Sequence, residues 1–222
     1  MSRRPYELVV FDWDGTLIDS IGTIVACTRA AFDRLGLPMP EEDAVRGAIG
    51  LGLAESVARF SPQADAPFLE RLTTAYSECW IGGFHARSRP FAAAVELLEE
   101  LGDEGYLLAV ATAKSRRGLV RDFERTGFGA YFHASRTADE AGSKPSPRML
   151  VELMAELGVE TRATLMVGDT VHDLEMAANA GVDAVAVCTG AAARDQLLAR
   201  TPAACLPSIA ELRAWLDRRR VA

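Results

Sequence analysis

The sequence predicts an α/β protein in which a doubly wound, Rossmann-like parallel sheet carries an inserted all-helical segment. Three observations support this fold class. Residues 8–11 form an uncharged apolar run, which is typical of a parallel strand buried on both faces. Residues 17–87 show helical patterns without a convincing strand. From residue 92 onward apolar runs alternate with amphipathic stretches, and repeated β–α units favour a parallel sheet covered by helices on both faces.

The segment after the first strand contains four predicted helices. The first follows Asp19-Ser20, which can cap a helix, and it ends at Gly36-Leu37-Pro38. Gly50-Leu51-Gly52 separates the second helix from the third, and Ser61-Pro62 opens a turn before the fourth. Apolar residues recur in these stretches at helical spacing. The predicted helices cover residues 21–35, 41–49, 53–60 and 68–80.

The second part of the chain alternates between strands and helices, as a parallel sheet requires. Ser208 and Glu211 have the spacing of a capping box ahead of a final helix, which runs through Trp215 and Leu216. Strands are predicted at residues 106–111, 132–134, 163–167 and 184–187. Helices are predicted at residues 92–101, 117–126, 149–157 and 174–180.

The composition and charge of the chain argue against several classes of protein. The chain has 222 residues, of which 49% are hydrophobic, so one large domain or a core with a modest insert can form. A net charge of −7 argues against binding to duplex nucleic acid. No apolar run resembles a signal peptide or approaches the roughly 20 residues of a membrane span. The four cysteines form no Cys-x-x-Cys pair, which favours free thiols. We therefore expect a cytoplasmic monomer or homodimer without membrane or nucleic-acid partners.

Polar residues follow the ends of several predicted strands. Two aspartates come directly after the first strand, and unpaired carboxylates are not stable in an apolar core. The carboxyl ends of parallel strands meet at one edge of the sheet, where ligands of open α/β sheets bind. Two further aspartates, one helical turn apart, suit a cation that prefers oxygen ligands. The residues expected at this edge are Asp12, Asp14, Thr112, Lys144, Asp169 and Asp173.

Four motifs in this order resemble those of the haloacid dehalogenase superfamily of phosphohydrolases. The first is Asp12-Trp13-Asp14-Gly15-Thr16-Leu17-Ile18-Asp19-Ser20, and the second is Thr112 at a strand end. The third is Lys144-Pro145-Ser146-Pro147, and the fourth runs from Gly168 to Asp173. The inserted helices resemble the cap of the phosphoglycolate phosphatase-like branch. This resemblance implies a core domain of residues 1–16 and 88–222 and a helical cap domain of residues 17–87.

The resemblance also implies catalytic roles. Asp12 would attack phosphorus and form an aspartyl-phosphate. Asp14 would protonate the leaving oxygen and then activate water. Gly15 would belong to the substrate-binding residues and would let the backbone turn sharply after the two aspartates. Lys144 would stabilise developing negative charge.

Substrate and metal ligands follow from the same resemblance. The Thr112 hydroxyl and the Ala113 N–H would contact the phosphate, and Arg46 would contact a substrate carboxylate or second phosphate. Lys114 is either an additional phosphate contact or a solvated lysine, and His172 is expected to be exposed. Mg²⁺ is the implied cofactor, because an anionic nucleophile must approach an anionic phosphate. Its expected ligands are Asp12, Asp14, Asp169 and Asp173.

The implied function is Mg²⁺-dependent hydrolysis of a small phosphate monoester such as phosphoglycolate, so the expected partner is a small phosphorylated metabolite. A phosphomutase similar to β-phosphoglucomutase would share every core residue and remains an alternative. A receiver-like signalling domain also places acidic residues, threonine and lysine around Mg²⁺, but it has no helical insert. A dehalogenase is disfavoured, since that branch works without Mg²⁺ and lacks the second aspartate that Asp14 supplies here.

Overall fold

The computed structural model describes residues 4–220 and has a parallel six-stranded sheet at its centre. The strands are β1 (Leu8–Phe11), β2 (Ile18–Asp19), β3 (Arg89–Pro90), β4 (Leu107–Thr112), β5 (Ala134–Thr137), β6 (Thr164–Gly168), β7 (Asp183–Val187) and β8 (Ala204–Leu206). The sheet has the spatial order β5-β4-β1-β6-β7-β8, and all its pairs are parallel. Strand β1 lies in the interior of the sheet, between β4 and β6.

Helices surround this sheet and fill the segment inserted after β1. They are α1 (Ile21–Arg34), α2 (Glu42–Arg46), α3 (Leu53–Phe60), α4 (Ala66–Ile81), α5 (Ala94–Asp103), α6 (Arg116–Thr126), α7 (Ala138–Ala141), α8 (Arg148–Leu157), α9 (Val171–Ala180), α10 (Arg194–Leu198) and α11 (Leu212–Arg218). None of the helices in residues 4–220 combines the length and the apolar character needed to cross a bilayer.

The sheet separates two apolar clusters. Side chains of a strand alternate between its faces, so Val9 and Phe11 lie in one cluster while Leu8 and Val10 lie in the other. Helices α5, α6 and α11 cover the first face, and α8, α9 and α10 cover the second. All four residues of β1 are fully buried. The predicted α/β fold class, with helices on both faces of a parallel sheet, is therefore confirmed.

The helical segment, residues 17–87, has an apolar cluster of its own. Phe32 of α1, Val57 of α3 and Leu72 of α4 are buried together in it, away from the sheet. The Asp65 carboxylate accepts a hydrogen bond of 2.8 Å from the Phe68 N–H and caps α4. Helices α1 and α4 therefore pack through a small core made of residues of this segment.

Short elements account for most differences from the sequence prediction. Residues 17–87 contain one strand after all, because Ile18 and Asp19 pair antiparallel with Pro90 and Arg89. This two-residue ribbon joins the chain entering the helical segment to the chain leaving it. Two residues are too few to produce a period in the sequence, so no pattern marks the ribbon.

Two further predictions were wrong in detail. The second strand predicted in the second part of the chain runs over Ala134–Thr137 rather than 132–134, because its partners are residues 109–112 of β4. The Ser208 side chain makes no capping hydrogen bond, and a turn of 3₁₀-helix over Ile209–Glu211 precedes α11. Three further elements, α7, α10 and β8, have five residues or fewer and no pattern in the sequence predicts them.

Candidate active site

The candidate site lies at the carboxyl ends of three adjacent strands. Asp12 follows β1, Thr112 ends β4 and Asp169 follows β6. The Asp12 N–H donates a hydrogen bond of 2.9 Å to the Val167 carbonyl of β6, which continues the sheet pairing to the aspartate itself. The topology thus brings together residues that are up to 157 positions apart in the sequence.

A buried lysine joins two of the acidic residues. The Lys144 ammonium donates hydrogen bonds of 2.7 Å to Asp12 Oδ1 and 2.6 Å to Asp173 Oδ1. The side chain of Lys144 is fully buried, and those of Asp12 and Asp173 nearly so. Burial alone would lower the pKa of Lys144, but the two carboxylates hold it above its usual range. Lys144 therefore remains a cation inside the protein.

Asp173 is held in place by the start of its own helix. Its second carboxylate oxygen accepts hydrogen bonds from the Thr170 N–H at 3.0 Å and from the Thr170 hydroxyl at 2.7 Å. The Thr170 hydroxyl in turn caps the Asp173 N–H, which forms a reciprocal capping box at the start of α9. The acidic residue in the first turn thus stabilises the helix and also points one oxygen at Lys144.

Asp169 is held by a different set of donors. The Thr16 hydroxyl donates to Asp169 Oδ1 at 2.8 Å, and the Ala191 N–H donates to Oδ2 at 2.9 Å. Two glycines are required for this arrangement. A Cβ at Gly15, whose φ is +85°, would lie 2.4 Å from Asp169 Oδ2, and one at Gly190 would lie 1.7 Å from it. The backbone must approach the carboxylate closely on both sides.

Three carboxylates converge beside this lysine. One oxygen each of Asp12, Asp169 and Asp173 lies within 4.8 Å of the others, and all three residues are buried. Burial raises the pKa of Asp12 and Asp169, and the neighbouring carboxylates raise it further, while Lys144 opposes the shift at Asp12. Lys144 is the single cation that contacts the group within residues 4–220, so the group carries excess negative charge. A divalent cation bound by these carboxylate oxygens would neutralise the excess negative charge.

Asp14 lies outside this group of three. Its carboxylate accepts a hydrogen bond of 2.7 Å from the Ser20 hydroxyl and forms an ion pair of 3.1 Å with Lys114. Lys114 also pairs with Asp122 at 3.2 Å and lies 4.9 Å from the Trp80 ring centroid. Asp14 and Asp122 hold the pKa of Lys114 above its usual value, although burial opposes this. The structure therefore pairs Asp14 with a lysine rather than placing its side chain among the other three aspartates.

Thr112 and Ala113 border the same space. Thr112 is buried at the end of β4, and its hydroxyl oxygen accepts a weak hydrogen bond of 3.3 Å from the Lys114 N–H. Both residues, with Asp12 and Asp14, line a cavity of about 530 Å³ between the sheet and the helical segment. Asp12, Asp14, Thr112 and Ala113 thus face one space.

Two residues singled out in the sequence lie elsewhere. Arg46 forms an ion pair of 3.0 Å with Glu42 on the same helix and does not line the cavity within the described residues. The expectation that His172 is exposed was wrong. It is buried, because the loop 47–52 covers it and the Gly47 carbonyl lies 3.2 Å from its Nε2.

Several residues of the site are not marked by the sequence patterns considered above. Ala191 acts through its backbone N–H, so its side chain carries no information about this contact. Asp122 is buried and accepts a hydrogen bond of 3.0 Å from Trp13 Nε1, but in the sequence it is one more charged residue of an amphipathic helix. Thr16 could have been noticed, since it directly follows Gly15 in the first motif.

The chain matches known proteins over most of its length. The family model described as haloacid dehalogenase-like hydrolase matches residues 9–187. "Probable phosphatase IndB" of Dickeya dadantii is 35% identical over 212 residues, which is 92% of this chain and 91% of that protein. A phosphoglycolate phosphatase of Agrobacterium fabrum is 32% identical over 86% of this chain and 84% of that protein.

A solved structure supports the same relationship. A haloacid dehalogenase-like hydrolase from Bacteroides fragilis superposes with a TM-score of 0.87 at 25% identity, covering 93% of this chain and 99% of that one. The family match, the phosphatase relatives and the shared fold all cover both the sheet and the helical segment. This chain therefore belongs to the haloacid dehalogenase-like hydrolase family and is an enzyme of its phosphatase class.

Proposed function

We propose that this enzyme hydrolyses a small phosphate monoester with the help of Mg²⁺ and through an aspartyl-phosphate on Asp12. One observation carries the proposal: three buried carboxylates share a single contacting cation, Lys144, and one of the three, Asp12, lines a cavity that a phosphate ester could enter. Asp12, Asp169 and Asp173 would hold the metal. When bound, the metal would supply positive charge that offsets the repulsion between the nucleophile and the phosphate.

The residues of the chain suit the two half-reactions. In the first, a carboxylate oxygen of Asp12 bonds to phosphorus while the bond from phosphorus to the ester oxygen breaks. Asp14 donates a proton to the leaving alcohol. In the second, Asp14 takes a proton from water, and the water oxygen attacks the aspartyl-phosphate. Inorganic phosphate then leaves, and the Asp12 carboxylate is restored.

Other groups are placed to stabilise the transferred phosphoryl group. The Lys144 ammonium lies 2.7 Å from Asp12 Oδ1, so a phosphoryl group on Asp12 would be within its reach. Thr112 and Ala113 can offer a hydroxyl and a backbone N–H from the neighbouring strand end. These donors are fixed by buried elements, and they need little reorganisation when charge develops.

Phosphate release tests this function. The purified protein is incubated with phosphoglycolate, sugar phosphates and alkyl phosphates, in Mg²⁺ or in excess EDTA. We expect Mg²⁺-dependent release and a loss of at least about 1,000-fold in rate for Asp12→Asn, since the nucleophile is removed. Asp103→Asn, on the exposed end of α5, is the matched control and should retain full activity. Equal release in EDTA, or an active Asp12→Asn protein, would contradict the proposal.

A further inference from the structure

The two sides of the cavity differ in chemistry. The sheet side presents the polar residues Asp12, Asp14 and Thr112. The opposite side is built by α1, α3, α4 and the loop 47–52, and it is mainly aliphatic and aromatic. Its lining residues include Phe32, Ile49, Leu53, Phe60, Leu72 and Tyr76. The cavity thus has one end suited to a phosphate and one end suited to an apolar group.

The apolar side of the cavity carries a negative charge, which would repel a leaving group that contains a carboxylate or a second phosphate. Within the described chain, Glu55 is the one charged residue that the helical segment contributes to the lining. The cations of the cavity, Lys114, Arg117 and Arg121, all come from the sheet side. Lys114 is already paired with Asp14 and Asp122. A carboxylate or a second phosphate placed against the helical segment would be desolvated without a partner there.

The volume of the cavity also argues against a small acidic leaving group. A volume of about 530 Å³ lies in the range that accommodates an organic ligand of many atoms. A two-carbon acid such as glycolate would leave most of the apolar lining without contacts, and each such contact contributes dispersion energy. The Phe32 and Phe60 rings, 5.9 Å apart, line this space and also belong to the apolar cluster of the helical segment.

We propose that the substrate is the phosphate monoester of an apolar alcohol, with an alkyl or aryl body larger than two carbons that binds against the helical segment. This assignment rests on the proposed phosphatase function and makes it more specific. It separates the enzyme from a phosphoglycolate phosphatase and from a phosphomutase, since the second acidic group of either substrate would meet no cation on the helical side of the cavity, where Glu55 is the charged lining residue among those described.

The test is a series of n-alkyl phosphates with two, four and six carbons. Their leaving alcohols have nearly equal reactivity, so differences in kcat/KM report binding of the chain. We expect kcat/KM to rise by about two- to fourfold for each methylene that is buried. Phosphoglycolate should be a poorer substrate than butyl phosphate. A flat or falling series, or a preference for phosphoglycolate, would overturn the assignment.

A charge variant sharpens this test. Leu53 begins α3, is half-buried and lines the cavity. Leu53→Arg places a cation on the apolar side, and we expect the ratio of hexyl phosphate to phosphoglycolate in kcat/KM to fall by about tenfold or more. Arg59→Ala changes an exposed residue of the same helix outside the lining and should leave the ratio unchanged. An unchanged ratio in Leu53→Arg would count against the assignment.

Non-hydrolysable ligands separate this inference from the reaction itself. Hexylphosphonate and ethylphosphonate keep the charge but have no ester oxygen, so calorimetric titration into the Mg²⁺-loaded protein measures binding without turnover. Tighter binding of hexylphosphonate, with a negative heat-capacity change, supports the apolar site even if no ester is hydrolysed. In that case the proposed function alone would fail. Equal binding of the two phosphonates would overturn the apolar site even if phosphate is released.

Discussion

At the scale of single residues, the site depends on a balance of buried charge. Lys144 contacts Asp12 and Asp173, while Asp169 is held by a hydroxyl and a backbone N–H. Neutral donors solvate a carboxylate but do not cancel its charge, so burial raises the pKa of Asp169 well above its usual value. Asp169 is therefore the carboxylate whose charge is least compensated in the absence of a cation.

Replacing Asp169 with a neutral residue should stabilise the metal-free protein and at the same time weaken metal binding. Asp169→Asn removes one buried negative charge, and its amide can still accept from the Ala191 N–H and donate to the Thr16 oxygen. We expect a higher melting temperature for the metal-free protein, by about 2–4 °C for each kcal/mol gained. We also expect Mg²⁺ to stabilise the variant much less than the wild type. Scanning calorimetry with and without Mg²⁺ measures both, and an unchanged response to Mg²⁺ would exclude Asp169 as a ligand.

Lys114 is a positioning residue in the proposed mechanism. It lies 3.1 Å from Asp14 and 3.2 Å from Asp122, and its ammonium faces the Trp80 ring of the helical segment. Lys114 therefore holds the proposed acid, Asp14, in place through an ion pair. It also contacts the helical segment that covers the site. The alternative of a solvated lysine, left open by the sequence, does not describe this side chain, which is only 10% exposed and forms two ion pairs.

Replacing Lys114 should misplace the proposed acid without removing it. In Lys114→Met we expect kcat/KM to fall by about 10- to 100-fold, because small displacements of a catalytic group have effects of this size. Lys114→Arg keeps the charge and should recover part of the activity. The loss should be greater for alkyl phosphates than for an aryl phosphate, whose leaving group needs less protonation. Equal losses for both substrates would show a structural effect only.

At the scale of elements, the loop 47–52 connects the helical segment to the core. The Gly52 N–H donates a hydrogen bond of 2.8 Å to Ser143 Oγ, next to Lys144 in sequence. The Gly47 carbonyl lies against His172, which precedes Asp173. A Cβ at Gly50, whose φ is +99°, would lie 2.8 Å from Thr170 Oγ1. The backbone of the loop therefore contacts the fourth motif and Ser143, the residue before the third motif.

A matched pair of glycine variants tests this contact. Gly50→Ala and Gly36→Ala both place an alanine at positive φ, at a cost of about 1–2 kcal/mol each. The Cβ at Gly36 meets nothing within 4 Å, whereas the one at Gly50 meets Thr170 and His172. We expect similar losses of stability from the strain but a loss of kcat/KM only in Gly50→Ala. If both variants lose activity equally, the loop contact has no role in closing the site.

At the scale of the whole molecule, metal binding and folding should be linked through pH. Burial raises the pKa of Asp12 to about 7, from about 3.9 in an unfolded chain. Between these pH values the metal-free folded protein holds a proton that the unfolded chain has released. The contribution of Asp12 to the stability of the metal-free protein therefore falls as pH rises from about 4 to about 7.

Mg²⁺ should reverse this dependence, because it competes with the proton for the same carboxylates. We expect the rise in melting temperature caused by a fixed Mg²⁺ concentration to be larger at pH 8 than at pH 5.5. Thermal unfolding in both buffers, with EDTA as the reference, measures the difference. The Asp169→Asn protein serves as the control with a weakened site. A Mg²⁺ effect independent of pH would contradict the assignment of these aspartates as metal ligands.

The sequence by itself determined the fold class and the residues that surround the site. The apolar run of a buried strand and the apolar stripe of a helix are both formed by residues close together in the chain. For this reason β1, α1, α4 and α9 were predicted near their observed bounds. The placement of Asp12, Lys144, Asp169 and Asp173 near one another follows from parallel topology, which the β–α alternation predicts. The cytoplasmic location, the domain boundaries and the monomer or homodimer state stay predictions.

Only the tertiary structure decided which of these residues touch. The contacts of Lys144 span 132 residues to Asp12, and no local pattern specifies that its ammonium lies between two carboxylates while Asp14 pairs with Lys114 instead. The burial of His172 and the apolar side of the cavity likewise arise where separate elements meet. Sequence periodicity reports which side of an element is apolar, whereas contacts across the molecule depend on how the elements pack.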